Sequence, residues 1–528
     1  MTSPGRTQEH AGGVGARIRL LLAFASFMIY ATGVLALHQD MDNPFLAERE
    51  ALAAAVSTAV YQAPLGTAYS GVSASIRDVH TPLRTALKQV TRRDLEPGSL
   101  AQDGGMDGNG VGYLVLATAA MIIFGVHTYS PILMMLGLMG FSSAAFLLRF
   151  GAKNAFLVVL YFFPLTLLLF SWLVWEPSTA LNLPIGGIRY FAVFGILPAF
   201  HLACELLDRT PAAPPASRWW FVLLAVQVLI LLLGALTRTS GASLLTATGL
   251  IWLLTLWKNR HDRSGLRRQL GSGVFIGSVA CAFFTIILLL LPPNYLAEGR
   301  ITGQVWHRTF VGLGLNPEWP FGNLREVYNC ESPEMPGLRL EPGALDTNGV
   351  CVWVHYANAH NIQRFPVKPA SLEAAERAAF FTVARLYPRK VLETFIYYKP
   401  PMIFAEIKNA VNPILALNGY SPFLKLMLVL TFCNLLGFLV VPSVAPDPIR
   451  SLSLGGIALL FAAFNVPGYL LAWPGTAQTL DLKVYVVLIA GMTLSAVVEL
   501  MKLLCTTGMG SWKRELTRRR VFGGPGHI

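Results

Sequence analysis

Apolar residues along this chain gather into runs of about twenty, and the polar residues between them gather into short basic clusters. The runs are Ile18–Leu37, Pro131–Leu148, Asn154–Trp175, Arg189–Leu207, Trp219–Leu236, Ser243–Trp257 and Gly273–Leu291. After a long polar stretch come Pro422–Val441, Leu452–Leu471 and Leu482–Leu504. A helix of this length crosses the roughly 30 Å hydrocarbon layer of a bilayer. The pattern predicts an all-α polytopic membrane protein with about ten transmembrane helices, juxtamembrane helices and one mixed loop domain. Arg6, Arg17 and Arg19 lead into the first run, which lacks a small-residue cleavage site and reads as an uncleaved anchor.

One further run, Val111–Phe124, is short for a span. If it spanned, the basic segment Lys258–Arg268 would fall outside, against the positive-inside rule. Read as a half-span or juxtamembrane helix, it leaves Arg149 and Lys153, Asp208–Arg218, Lys258–Arg268, Arg450 and the tail Lys513–Arg520 all inside. The chain then divides into a cytoplasmic tail at 1–17, a transmembrane module at 18–292 with a first outer loop at 38–110, and an outer loop domain at 293–399. C-terminal transmembrane helices at 400–508 and a basic cytoplasmic tail at 509–528 complete it. On this reading both termini are cytoplasmic and the outer loops periplasmic, and the chain is expected in the inner membrane of a bacterium.

In the first outer loop, ALAAAVSTAV reads as an amphipathic helix and Ile76–Thr91 as a second helical stretch. The loop domain reads as short strand-like pieces plus a helix capped by Ser371, with Glu373 and Glu376 in its first turns. A second helix, Lys390–Tyr398, leads to the membrane, and Met402–Leu417 reads as interfacial.

Composition agrees: 54% of residues are hydrophobic and 13% charged, with mean hydropathy +0.53. Soluble domains carry roughly 25% charged residues. The net charge of +12 comes from short loops between apolar runs and marks topology, not a nucleic-acid partner. Cys204, Cys281, Cys433 and Cys505 fall in or near spans, whereas Cys330 and Cys351 share the outer loop and are expected to form a disulfide. The chain has no GxxxxGK[ST], no GxSxG in a strand–turn–helix context and no HExxH. Arg238, Glu205 and Glu499 lie near span ends, where they are expected to snorkel to water.

The order of the outer features carries a resemblance. An anchor span is followed by Asp40 and Asp42, then helical stretches from Phe45, then DGNGVGYLVLATAAMIIFG, and later LGALTRTSGASLLTATGLIWLLTLWKNR. This succession, over about residues 18–292, resembles the GT-C superfamily of membrane glycosyltransferases, which includes protein mannosyltransferases and lipid A aminoarabinose transferases. The chain departs from it in having Asp-Met-Asp where many members have Asp-Glu, and DGNGVGY where many have Pro-Pro-Leu.

The resemblance implies transfer of a sugar from a polyprenyl-phosphate donor to an envelope glycan or lipid acceptor. Asp40 or Asp42 would serve as general base or as ligand to a divalent metal. Arg49, Arg308, Arg325 and Lys399 are the cations available to the phosphate leaving group. Asp107 caps the re-entrant helix or lines the site. Trp306, with Trp319 and Trp353, reads as core or as a sugar-stacking surface; His307 and His355 read as loop histidines or as substrate contacts. Tyr398 and Lys399 read as an interfacial anchor that could also touch phosphate. A lipid transporter or flippase, and a non-enzymatic scaffold, are the competing classes. Sensitivity inside the spans would mark the first, and tolerance of changes at Asp40 and Asp42 the second.

Reporter fusions test the topology. Fusions within Lys258–Arg268 and after Arg520 should read as cytoplasmic, and those within His38–Gly110 and Glu318–Glu373 as periplasmic. An inside signal from the 318–373 segment would overturn the whole arrangement.

Overall fold

Backbone amides in lipid find no water, so a spanning chain must satisfy them within its own helices. The computed structural model follows this rule. It describes residues 46–78, 80–91, 97–101, 111–150, 195–207, 218–237, 239–293, 305–319, 323–333, 335–362, 369–409 and 448–471, with individual positions within 18–35, 429–433 and 482–505. Among these, three helices are long and apolar enough to cross a membrane: Trp220–Thr237, Arg263–Leu290 and Val484–Met501. The expected spans at 154–175 and 422–441 lie almost wholly outside the described residues.

The first outer segment folds as α1 (Leu46–Tyr61), α2 (Ser70–Arg77) and α3 (Leu83–Val90). A two-residue antiparallel pair closes it, β1 (Ala68–Tyr69) against β2 (Leu100–Ala101). The amphipathic helix expected here is instead buried along most of its length: Ala51 through Val56 are at most 5% exposed, and Arg49 is fully buried. The single stretch expected at 76–91 is broken by a turn, where the Asp78 carboxylate accepts from the Thr81 hydroxyl (2.5 Å) and the His80 amide (3.0 Å). The Arg49 guanidinium reaches this break and donates to the carbonyls of Ile76 (3.0 Å), Asp78 (2.6 Å) and Thr81 (2.9 Å). Those carbonyls lie at the end of α2 and in the turn that follows it, where the Asp78 carbonyl also accepts the Thr81 amide (3.2 Å). Glu50 pairs with Arg77 beside them.

The short apolar run forms α4 (Val111–Phe124), fourteen residues long. It packs against α1 and against α5 (Ser130–Phe150) and α7 (Arg218–Thr237). The approach to α7 needs Gly112, because a Cβ there would overlap the Leu233 carbonyl and the Thr237 hydroxyl. The bundle continues with α6 (Ile196–Leu207), α8 (Thr239–Lys258), α9 (Arg263–Leu290) and α16 (Pro448–Leu471). Helix α9 exposes Val274, Ile286 and Leu289, the face of a helix whose solvent is lipid. The basic segment expected as a loop is mostly helical. Lys258 ends α8, Arg263 begins α9, and the Asp262 carboxylate caps α9 by accepting the Ser264 amide (3.0 Å).

Several polar groups inside the bundle are paired within the protein. Arg149 holds Glu205 through two bonds of 2.7 and 2.8 Å. Glu205 is 7% exposed, so it does not snorkel as expected; its charge is met by α5. One turn deeper on α6, His201 lies between the rings of Phe146 and Phe150 and contacts Gln227 (3.1 Å). Gln227 in turn accepts from the Ser142 hydroxyl (2.6 Å) and donates to the Ser142 carbonyl (2.9 Å).

The loop domain has its own core and is helical. Its elements are α10 (Val305–Val311) with a 3-10 turn at Gly312–Leu315, α11 (Leu324–Val327), α12 (Leu345–Ala359) and α13 (Pro369–Leu386). They are followed by α14 (Pro388–Glu393), a π-turn at Thr394–Tyr398 and α15 (Lys399–Asn409). In place of the expected strand-like pieces, the described residues hold one isolated bridge, Ser332 to Met335. Trp319 and Trp353 are core, packed with Phe310, Leu324 and Val383. Cys330 and Cys351 form a disulfide across a separation of 21 residues, with Cα atoms 5.0 Å apart.

Arg49→Met should cost about 3 kcal/mol, since it removes three bonds made by a buried charged donor. The thermal transition of the detergent-solubilised protein reads this. Arg49→Lys should recover little, because an ammonium cannot fork across three acceptors spread over the turn. Unchanged melting in both variants would show that these bonds contribute nothing.

Candidate functional site

Three of the described functional candidates are consecutive residues on one turn of α10. Trp306, His307 and Arg308 occupy that turn, and α13 supplies two carboxylates to it. Glu373 accepts the Trp306 amide (2.9 Å) and the His307 amide (3.0 Å), one on each oxygen. A helix N-terminus has orphan amides and a partial positive charge, so a carboxylate from a neighbouring helix caps it as well as a local one does. Glu376 lies one turn further along α13, is fully buried, and meets His307 Nδ1 through Oε1 at 2.8 Å. The contact holds the imidazole in one orientation, with the proton shared on the line between Nδ1 and the carboxylate.

Helix α12 closes the pair from behind. A Cβ at Gly349 would stand 2.7 Å from Glu376 Oε1 and 3.2 Å from His307 Cε1, so a larger residue there would have to displace the pair. Trp306 packs on Phe380 and Phe381, with centroids 5.7 and 5.2 Å away. A carboxylate-oriented imidazole that is 23% exposed can accept or deliver a proton.

The remaining candidates are dispersed. Asp40, Asp42 and Asp107 lie outside the described residues. Arg49 is committed to the backbone carbonyls of the first outer segment and is a structural cation, contrary to its expected phosphate role. Arg325 stands exposed on α11 and donates from Nε to the Leu340 carbonyl (3.1 Å). Tyr398 is half-buried, its ring edge-on to Tyr397 at 5.3 Å. Lys399 is fully buried with Nζ 4.4 Å from the Phe395 ring centre, and burial pushes its ammonium down to about 7. It is therefore not presented to a phosphate at the surface, as had been expected. Among the described residues no group of three or more His, Cys, Asp or Glu side chains is placed to hold a metal ion.

No family model matches the chain, and no curated protein matches it in sequence. Two solved structures are similar to it: crystal structures of ArnT from Cupriavidus metallidurans, one bound to undecaprenyl phosphate and one in the apo state. Each shares 13% identity and a TM-score of 0.31, over 91% of this chain and 76% of that one. At that similarity neither neighbour fixes the fold, donor or acceptor of this chain.

Glu373, Glu376 and Gly349 were not among the sequence candidates. The two acids had been read as serving the N-terminus of their own helix. That helix begins earlier, at Pro369, with Ser371 already in its first turn, and the acids project onto α10 instead. Their spacing of three residues, which puts both on one helix face, was the available signal.

Gly349→Ala should push His307 and Glu376 apart and destabilise the loop domain by about 1–3 kcal/mol, the usual cost of overpacking. Thermal denaturation measures this, and the histidine ring resonance reports loss of the pair. A variant with wild-type stability and an unmoved resonance would show that the space behind the pair is slack.

Proposed function

We propose that this chain is a membrane glycosyltransferase of the GT-C kind. It moves a sugar from a polyprenyl-phosphate donor to a cell-envelope acceptor on the periplasmic side of a bacterial inner membrane. The observation that carries the proposal is the fold of the first outer segment. Its helix α1, which follows Asp40 and Asp42 in sequence, is buried against the short apolar helix α4, and α4 is locked to α7 at Gly112. An acidic motif, a helical outer loop and a short apolar helix thus follow one another in the order of the resemblance, and the last two form one packed unit.

The chemistry suits that location. A donor anchored by its lipid tail presents its anomeric carbon just beyond the headgroups. A carboxylate close to a span end can take the proton of the acceptor hydroxyl as the sugar is transferred. Alternatively it can hold a divalent metal against the departing phosphate. Negative charge grows on that phosphate, and of the cations considered, Arg308 is half-buried and Arg325 exposed, whereas Arg49 and Lys399 are fully buried. The His307–Glu376 pair adds an oriented proton carrier to the outer domain.

Asp40→Asn and Asp42→Asn preserve side-chain shape and remove charge. At least one should reduce envelope glycan modification by roughly two orders of magnitude or more, the usual contribution of a general base. Protein level and membrane insertion should be unchanged. Mass spectrometry of envelope glycans from cells carrying each variant gives the answer. Full product from both single variants and from the double variant would overturn the assignment and favour a scaffold.

A further inference from the structure

Helices α13 to α15 carry large apolar side chains that no described residue covers. Phe381 is 56% exposed, Leu386 52%, Leu392 58%, Ile396 65%, Tyr397 70% and Phe404 69%. Scattered exposed apolar residues are ordinary, but a run of this kind confined to one stretch is not. From Pro388 to Asn409 the stretch is one helical rod, α14 through the π-turn to α15. At 1.5 Å per residue it is about 33 Å long. The exposed apolar side chains are strung along this rod and the adjoining end of α13.

We infer that this face seats the outer domain in the headgroup layer of the membrane, with Arg385 and Arg389 on the phosphates of anionic phospholipid. Three observations favour a lipid surface as the occupant. The first is charge. The exposed positions between 381 and 405 include Arg385 and Arg389 and no Asp or Glu. The nearby Glu393 is half-buried and paired with Arg389 (3.0 Å) and Lys390 (3.4 Å). Cations flanking an apolar strip are the composition that binds anionic bilayers. The second is continuity: α15 extends the same rod and packs against α16, an apolar bundle helix, so the strip is joined to a membrane-embedded element. The third is the pair Tyr397 and Tyr398, amphipathic rings of the kind that collect at the water–lipid boundary.

The seating reaches further than the interfacial stretch expected at 402–417, because it includes the end of α13. Phe381 belongs to the strip and is in ring contact with Trp306 at 5.2 Å. The Trp306–His307–Arg308 turn is therefore held close to the headgroup layer, whatever group the chain transfers.

The test uses the full-length protein with Cys204, Cys281, Cys433 and Cys505 replaced by Ala, reconstituted in nanodiscs of phosphatidylcholine with or without phosphatidylglycerol. Single spin labels are introduced through Leu392→Cys, Ile396→Cys and, as a water-facing control, Arg339→Cys. Labels at 392 and 396 should relax faster with molecular oxygen, which concentrates in lipid, than with a water-soluble nickel chelate. The label at 339 should show the reverse. Arg385→Gln combined with Arg389→Gln should raise chelate access at 392 and 396 in discs containing phosphatidylglycerol. Chelate access at 392 and 396 equal to that at 339 would overturn the inference. Low access to both reagents would do so too, since it would mean that protein, such as a second copy, covers the face. No effect of the double arginine variant would overturn the role given to anionic lipid.

Discussion

The N-terminal half depends on the contact between α4 and α7 at Gly112. One face of the fourteen-residue helix α4 receives α1 from the outer segment, while another meets α5 and α7 of the bundle. Any side chain at Gly112 would hold the two helices apart at the Leu233 carbonyl. Without that approach α1 would lose the surface that buries Ala51–Val56, and the outer segment would have no base on which to fold. Small residues matter most in a bundle of this kind, because lipid gives no hydrophobic reason for helices to associate and close van der Waals packing must supply one.

The same economy governs the polar groups. In water an arginine at a helix end or a lone glutamine costs little. Within this bundle each is matched by the protein: Arg149 to Glu205, Gln227 to Ser142 and His201, and Arg49 to the end of α2. These bonds specify which helices are neighbours and in what register, which the apolar runs alone do not. The outer domain applies the rule at smaller scale. Glu373 closes the N-terminus of α10 and Glu376 orients His307, so two acids of one helix both hold and polarise the same turn.

The outer domain also has a clear division of surfaces. Its interior is built on Trp319, Trp353 and the Cys330–Cys351 disulfide. Its α10 turn presents aromatic, imidazole and guanidinium groups together, and its last helices present an apolar, basic strip. The proposed glycosyl transfer would use all three in one body: a stable frame, a polar edge, and, on the inferred seating, a fixed height above the lipid.

The sequence by itself determined that the chain is helical and membrane-embedded, because the length of an apolar run is a local property that the bilayer reads directly. It marked 111–124 as an apolar run short for a span, which folds as the fourteen-residue helix α4, and it expected the disulfide between Cys330 and Cys351. It named Trp306, His307 and Arg308 separately among the candidate substrate contacts. Only the tertiary structure decided which partners meet them. Glu373 and Glu376 are some 66 to 69 residues away in the chain, and Gly349 matters solely because α12 passes behind them. Arg49 illustrates the same limit in reverse. As a charged residue beside an acidic motif it reads as a ligand for phosphate, yet three carbonyls 27 to 32 residues downstream turn it into a structural clasp. Periodicity and composition depend on neighbours along the chain, whereas the partner of a buried charge depends on which distant backbone or carboxylate is left without one when the helices pack.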